Sequence, residues 1–489
     1  MPFTDQDAHR LRAACTILVE EHHLPGIAVG VVQGDDLVFA EGFGYADIES
    51  RTPMAPENRQ RIASISKTMV GLCAMALVDE GRLSLDQNVL ELLPELMLHG
   101  QGESPKVWHL LTHSGGIGEV PNAEDLRDPW RYLFCETPTA GGPAEWYQAG
   151  LTIEVPPGTK YAYANHGYVL LGEIVSRIED KPVREVLRQR IFAPLGMTDS
   201  DLSDEQRAAL ATGYHRAPGE DEREMLKRAG REPPVEEPVD GYNIRGKFLH
   251  TWANGAQGGV QATLPDMARY ASALLRHGAG IVRTETFDAM VADHWRPDPR
   301  LPGWGLAFGV RDHYGRRRFG HGGSFFGGWN SYLGVFPEDG LAVLIHMNLV
   351  WDQFETAITP RVLQAVFDEA PFVAPPARIE ARVLETAPGV YEAPTPGPLT
   401  NFRVMANTGR VQVSARDGAL VLHSRRGAWK GGVPLLPARV AEPDLFAMVT
   451  GDPLPVFMAV LRDGTGAVTG LRFPQIIDMR RADGVEPWA

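Results

Sequence analysis

The sequence predicts a mixed α/β (α+β) chain that ends in a separate all-β segment. Three observations carry this. An apolar hairpin pattern lies near the N-terminus, and helical periodicity dominates after residue 65. Short strands with turn punctuation follow a proline-rich break at Pro371, Pro375 and Pro376. At 489 residues the chain exceeds one core of ordinary size, and the break divides it into 1–370 and 371–489.

Met1 to Gly26 carries Asp5, Asp7, Arg10, Arg12, Glu20 and Glu21, an amphipathic helix without the apolar stretch of a signal peptide. A strand from Gly26 to Gln33, the turn Gly34-Asp35-Asp36 and a strand from Leu37 to Tyr45 make the hairpin. Helical patterns run from Ile65 to Phe192, broken by a loop from Gly115 to Pro143. The polar stretch Ser200 to Asp240 reads as an excursion or lid. Strand character returns at Gly303–Val310, Ser331–Phe336 and Leu341–Met347, followed by a helix from Gln353 to Phe367. Beyond the break, Phe402–Ala406, Val411–Ala415, Ala419–Ser424, Val456–Leu461 and Ala467–Phe473 have the spacing of a small barrel or sandwich.

Composition narrows the function classes. With 44% hydrophobic and 22% charged residues, a large core forms without a membrane. A formal net charge of -15 and no basic stripe argue against nucleic acid as a partner. No run reaches the roughly 18 apolar residues of a membrane span. Cys15, Cys73 and Cys135 are scattered, which fits a reducing compartment rather than a disulfide framework, so a cytoplasmic location is expected.

Three short motifs carry chemistry. Ile62-Ala63-Ser64-Ile65-Ser66-Lys67-Thr68 opens a helix in which Met69 to Val78 holds no charge, the mark of a buried helix. Ser64 heads that helix, where free N–H groups favour developing negative charge. Lys67 lies three residues on, on the same face, and loss of solvation makes such a lysine a better base. An N-cap serine beside a snorkelling lysine is the bland alternative. Tyr161-Ala162-Tyr163-Ala164-Asn165 precedes a second helix, as a strand end with an asparagine cap would. Gly320-His321-Gly322-Gly323-Ser324 precedes a strand and allows close backbone approach.

In this order the three motifs resemble the serine β-lactamase and penicillin-binding-protein superfamily, whose pattern is SxxK, Tyr-x-Asn and a Lys/His-(Thr/Gly)-Gly triad on an edge strand. Ser64-Ile65-Ser66-Lys67 with Tyr163-Ala164-Asn165 looks most like the class C branch, which includes esterases, D-aminopeptidases and DD-peptidases (peptidase S12 type). His109 to Gly116, Pro157-Gly158, Pro194 to Met197 and Gln257-Gly258-Gly259 extend the resemblance over roughly residues 8 to 367. It implies a β-lactamase/DD-peptidase-like fold: an antiparallel sheet flanked by helices plus a mainly helical lobe. The C-terminal segment looks like a lipocalin-like barrel domain.

By that resemblance Ser64 is the nucleophile, and Lys67 with Tyr163 moves its proton. Asn165 orients Lys67 and binds a substrate amide. The Ser64 and Ser324 N–H groups form an oxyanion hole behind Gly322 and Gly323. His321 stands where most β-lactamases have lysine, and Gly322 lacks the hydroxyl of the Lys-Thr-Gly version. An imidazole partly charged near neutral pH makes a poor β-lactamase. The expected enzyme is a hydrolase of an amide, a short peptide or a compact ester, acting through an acyl-Ser64 intermediate. An acyltransferase using the same intermediate and a non-catalytic ligand-binding relative remain as alternatives. No Gly-x-Ser-x-Gly elbow is present, and His109 and His113 have helical spacing without the glutamate of HExxH. Neither metal nor cofactor is expected. The partner is a small-molecule or short-peptide substrate, with no nucleic acid and no membrane.

Overall fold

The computed structural model describes residues 2–100, 102–118, 141–203, 210–218, 236–313, 315–351, 353–370, 372–392, 410–424, 429–449, 456–473 and 478–488. Helix α1 (Asp5–Glu21) starts at Thr4, which exchanges hydrogen bonds with Asp7 as a capping box. Strands β1 (Gly26–Gln33) and β2 (Asp36–Asp47) form the expected hairpin, and β3 (Thr52–Pro53) extends it. The main sheet is completed from the far side of the sequence by β4 (Gly303–Trp304), β5 (Gly309–His313), β6 (Arg316–Phe325), β7 (Trp329–Phe336) and β8 (Leu341–Met347). Its order is β4-β5-β6-β7-β8-β1-β2-β3, antiparallel throughout.

Strand β1 reads as a near-continuous apolar run because both faces of the sheet are covered. On one face Ile27, Val29 and Val31 join Val343, Ile345 and Met347 of β8 in a single cluster. Leu11, Cys15 and Leu18 of α1 and Val362 and Leu363 of α6 (Thr359–Phe367) belong to the same cluster and cover that face. The alternate residues Ala28, Val32, Ala342 and Leu344 face the other way, into a second cluster with Leu264, Met267 and Ala271 of α5 (Leu264–Leu275). Gly30 lets α5 seat closely, since a Cβ there would lie 2.6 Å from Leu264 Cδ2.

The same second cluster holds α2 (Ser66–Asp79), buried from Ser66 to Leu77, and α4 (Asn165–Glu179), which form the core of the helical lobe. A short helix α3 (Val107–Leu111) lies against α4. The C-terminal helix is preceded by a π-helical turn, Phe354–Ile358, so the expected helix from Gln353 is two pieces.

Eight strands close a C-terminal antiparallel barrel: β9 (Gly389–Glu392), β10 (Arg410–Arg416), β11 (Ala419–Ser424), β12 (Val433–Pro437), β13 (Leu445–Met448), β14 (Val456–Arg462), β15 (Val468–Arg472) and β16 (Asp478–Arg481). Pairing of Tyr391 with Arg481 closes it. Inward residues such as Val411, Val413, Leu420, Leu422 and Leu471 fill the interior. The sequence reading missed β9, β12, β13 and β16, which are short or carry proline or charge. The expected strand Phe402–Ala406 lies outside the described residues. On the barrel's outer face Leu445, Ala447 and Ala459 pack with Leu301, and Arg472 donates to the Pro297 carbonyl at 3.0 Å.

Most of the loop after Gly115 and of the polar stretch after Ser200 lies outside the described residues. Within the second, Tyr214–Arg216 is a strand paired with Asn243–Arg245 and Leu349–Val350. Cys15 and Cys73 are unpaired and buried, and burial pushes both thiols up to about 12, which makes them inert packing groups. Cys135 lies outside the described residues. No helix among the described residues is long and apolar enough to cross a membrane.

Candidate active site

Ser64 sits in a single 3₁₀ turn, Ala63–Ile65, that runs directly into α2. Ala63 has φ 48°, a left-handed conformation that costs a non-glycine residue on the order of 1 kcal/mol. The surroundings hold it there. Ile62 N–H donates to the Val260 carbonyl at 3.0 Å, and Ser331 Oγ donates to the Ile62 carbonyl at 2.8 Å. Ser66 Oγ donates to the Ala63 carbonyl at 2.6 Å and accepts from Val260 N–H at 3.1 Å.

Lys67 is completely buried one turn on. Its Nζ lies 2.9 Å from Ser64 Oγ, 2.7 Å from Asn165 Oδ1 and 2.5 Å from the Gln257 carbonyl oxygen. The Tyr163 ring centroid lies 5.0 Å from the same nitrogen. Asn165 is the first residue of α4 and makes no cap; Ala164 holds the cap position, and the Asn165 side chain turns to Lys67 instead. The snorkelling and capping alternatives are therefore both excluded by geometry.

His321, Gly322, Gly323 and Ser324 lie on β6. This strand is internal up to Gly320, where pairing with β5 ends, and beyond it has only β7 as partner among the described residues. The motif is thus on an open edge within an otherwise inner strand. Gly323 packs against the serine turn, where a Cβ would overlap both the Ile62 carbonyl oxygen and Ser331 Oγ. Gly323→Ala is expected to push the turn off the strand and to lower kcat/KM at least tenfold, measured on any substrate the wild type turns over. An unchanged rate would show that the turn and strand need not touch. Ser324 is exposed, and its Oγ accepts from Asn330 Nδ2.

His113, quoted above only as part of a longer segment, belongs beneath the site. Its ring stacks on Tyr163 with centroids 4.1 Å apart, and Nδ1 accepts from Ala164 N–H at 3.2 Å. Trp304 packs edgewise on His113 and His321. The Leu111 carbonyl accepts from Trp304 Nε1, the Tyr168 hydroxyl and Ala307 N–H, tying the helical lobe to the sheet. His109 and His113 do not share a helical face, because α3 ends at Leu111 and His113 has φ 54°. His109 Nδ1 accepts from Lys106 N–H at 2.9 Å. In each ring the proton is therefore on Nε2, which removes the lone pair a metal would need.

The expectation that His321 is partly charged near neutral pH is corrected. Burial first, then the nearby Lys67 charge, pushes the ring down to about 3, although Nδ1 donates to the Gly322 carbonyl. Burial likewise lowers His346 of β8 to about 4 and, with Lys106, His109 to about 4; His113 falls well below its ordinary value. These folded values lie below the unfolded one, so their stabilising contribution is full above about pH 6.5 and is lost as pH falls toward 4. Melting temperature is expected to be level from pH 9 to 7 and to fall between pH 6.5 and 4.5, above the carboxylate range. A rise over that window would contradict it.

Sheet, helical lobe and, between them, the half-buried Ser64 bonded to the buried Lys67 define the fold class of β-lactamases and penicillin-binding proteins. The chain belongs to the Beta-lactamase family, whose model matches residues 11–367. It is 31% identical over 274 residues to Protein Rv1367c of Mycobacterium tuberculosis, an alignment covering 52% of this chain and 63% of that relative. It is 26% identical over 401 residues to Esterase EstB of Burkholderia gladioli, covering 74% of this chain and 95% of the esterase. The octameric penicillin-binding protein homologue from Pyrococcus abyssi superposes with a TM-score of 0.62 at 24% identity, over 97% of this chain and all of that one. At that identity the likeness is one of fold.

Sequence reasoning named Ser64, Lys67, Tyr163, Asn165 and His321 to Ser324, and the fold brings them together around the Lys67 amine and the serine turn. It missed the Gln257 carbonyl as a lysine anchor, His113 as the floor under Tyr163, and Trp304. Gln257 and His113 lay in segments already quoted for their resemblance; Trp304 left no signal.

Proposed function

We propose that the protein is a serine hydrolase that forms an acyl-enzyme on Ser64 and cleaves an amide, a short peptide or a compact ester. The observation that carries this is the Lys67 contact set. Two of its partners, Asn165 Oδ1 and the Gln257 carbonyl, can only accept. As an ammonium Lys67 donates to all three oxygens, Ser64 Oγ at 2.9 Å among them; once it gives up that proton, two N–H groups stay with Asn165 and Gln257 and a lone pair faces the Ser64 hydroxyl. In the forward step Lys67, assisted by Tyr163, takes the Ser64 proton as the Oγ–acyl bond forms. The proton passes to the leaving amine or alcohol as its bond to the acyl carbon breaks. Water then repeats the sequence in reverse and frees Ser64. The N–H groups of Ser64 and Ser324 are the proposed oxyanion donors.

The same reading takes residues 1–370 as the hydrolase domain and 371–489 as the barrel domain. The unpaired, buried thiols of Cys15 and Cys73 support a reducing, cytoplasmic setting. Intact-mass measurement after incubation with a panel of p-nitrophenyl esters and anilides tests the activity. A transient acyl mass on Ser64 with product release is expected, and no adduct with any member would defeat the reading. Added amines or alcohols in a second arm show whether water is the preferred acceptor.

A further inference from the structure

Trp304 backs the site, yet the strand that carries it is short. β4 is the two-residue edge strand of the main sheet, paired to β5 through Gly303 with Val310 and Trp304 with Gly309. The Trp304 ring packs edgewise on His113, His321 and Tyr163, with centroids 5.1, 5.4 and 6.3 Å away. At 4% exposure it offers little surface to a substrate, so it bears on the chemistry through those rings. Trp304 also exchanges two backbone hydrogen bonds of 2.8 Å with Trp295, which closes residues 295–304 into a hairpin. The tip of that hairpin is stiff. The Asp298 carboxylate accepts from the Arg300 backbone N–H, Nε and Nη2 at 3.0, 2.9 and 2.7 Å. Arg296 Nε donates to the Leu301 carbonyl at 2.9 Å, and Pro302 fixes φ between Leu301 and β4.

The same tip is seated on the C-terminal barrel. Leu301 is 3% exposed, buried with Leu445 and Ala447 of β13 and Ala459 of β14. Arg472 of β15, whose Nε donates to Asp478 at 2.7 Å, donates from Nη1 to the Pro297 carbonyl at 3.0 Å. We propose that the barrel clamps this hairpin at Pro297 and Leu301 and thereby positions Trp304 against Tyr163 and His321. This rests on the hydrolase reading above and gives the barrel a part in it. Leu301 and Arg472 are positioning residues that act through Trp304. Misplacing a proton-transfer group slows the chemical step more than it weakens binding, so the loss belongs in kcat.

The test uses the full chain and p-nitrophenyl butyrate. Leu301→Ser is expected to lower kcat about tenfold with KM changed by less than about twofold, and Arg472→Gln to lower kcat about threefold. Leu301→Met, which refills the contact, should keep at least about half of wild-type kcat. In a Trp304→Ala background Leu301→Ser should change kcat by less than about twofold, because the group it acts through is gone. An equal loss in both backgrounds, or a kcat unmoved by Leu301→Ser, overturns the inference. A second readout needs no turnover. With 5-fluorotryptophan incorporated, the fluorine resonance lost in Trp304→Phe belongs to Trp304, and both Leu301→Ser and Arg472→Gln should shift or broaden it. A resonance unmoved in both variants overturns the inference. If wild type acylates Ser64 and the resonance stays put, only the clamp falls; if the resonance moves and no acylation occurs, the hydrolase reading falls and the clamp on Trp304 stands.

Discussion

Ser64→Ala is expected to lower kcat/KM by about 10⁴-fold or more while leaving the melting temperature within a few degrees of wild type, since a nucleophile has no substitute in covalent catalysis. The half-buried Ser64 hydroxyl contributes one hydrogen bond to Lys67, and that nitrogen keeps Asn165 and the Gln257 carbonyl when the hydroxyl is removed. The turn itself is held by Ile62, Ser66 and Ser331 and does not depend on the serine side chain. Steady-state rates and a thermal melt on the purified variant decide it. Turnover within tenfold of wild type would remove Ser64 from the chemistry.

Lys67→Met is expected to cost at least about 10²-fold in kcat, the usual size of a general-base contribution. Methionine matches the lysine stem in length and removes the amine. The Asn165 and Gln257 oxygens then lose a donor, which costs roughly 1–3 kcal/mol for each buried group left unsatisfied. Removing a fully buried amine offsets part of that loss. The diagnostic measurement is therefore kcat together with acyl-enzyme formation by mass, not stability. Fast acylation of Ser64 in this variant would mean that Tyr163 or another group takes the proton unaided.

Much of this protein was legible from local pattern. The strand Gly26–Gln33 was found to the residue because covered sheets need unbroken apolar runs, and β8 was found for the same reason. The uncharged stretch after Lys67 marked a helix buried on every face. Strands lacking such a run escaped notice: β12 contains two prolines, and β16 is charged at every position except Met479.

By itself, then, the sequence determined which segments become buried helix and strand, and which residue types stand three apart at the head of α2. Those properties depend on side-chain period and solvation, which neighbours along the chain specify. Tertiary structure decided the rest. It brought Asn165 and the Gln257 carbonyl, 98 and 190 residues away, onto one lysine nitrogen. It placed His113 under Tyr163 and pressed Gly323 onto the Ile62 carbonyl. It also set the charge of His321, because a pKa answers to burial and to nearby charges in space, and neither is written at the residue that titrates.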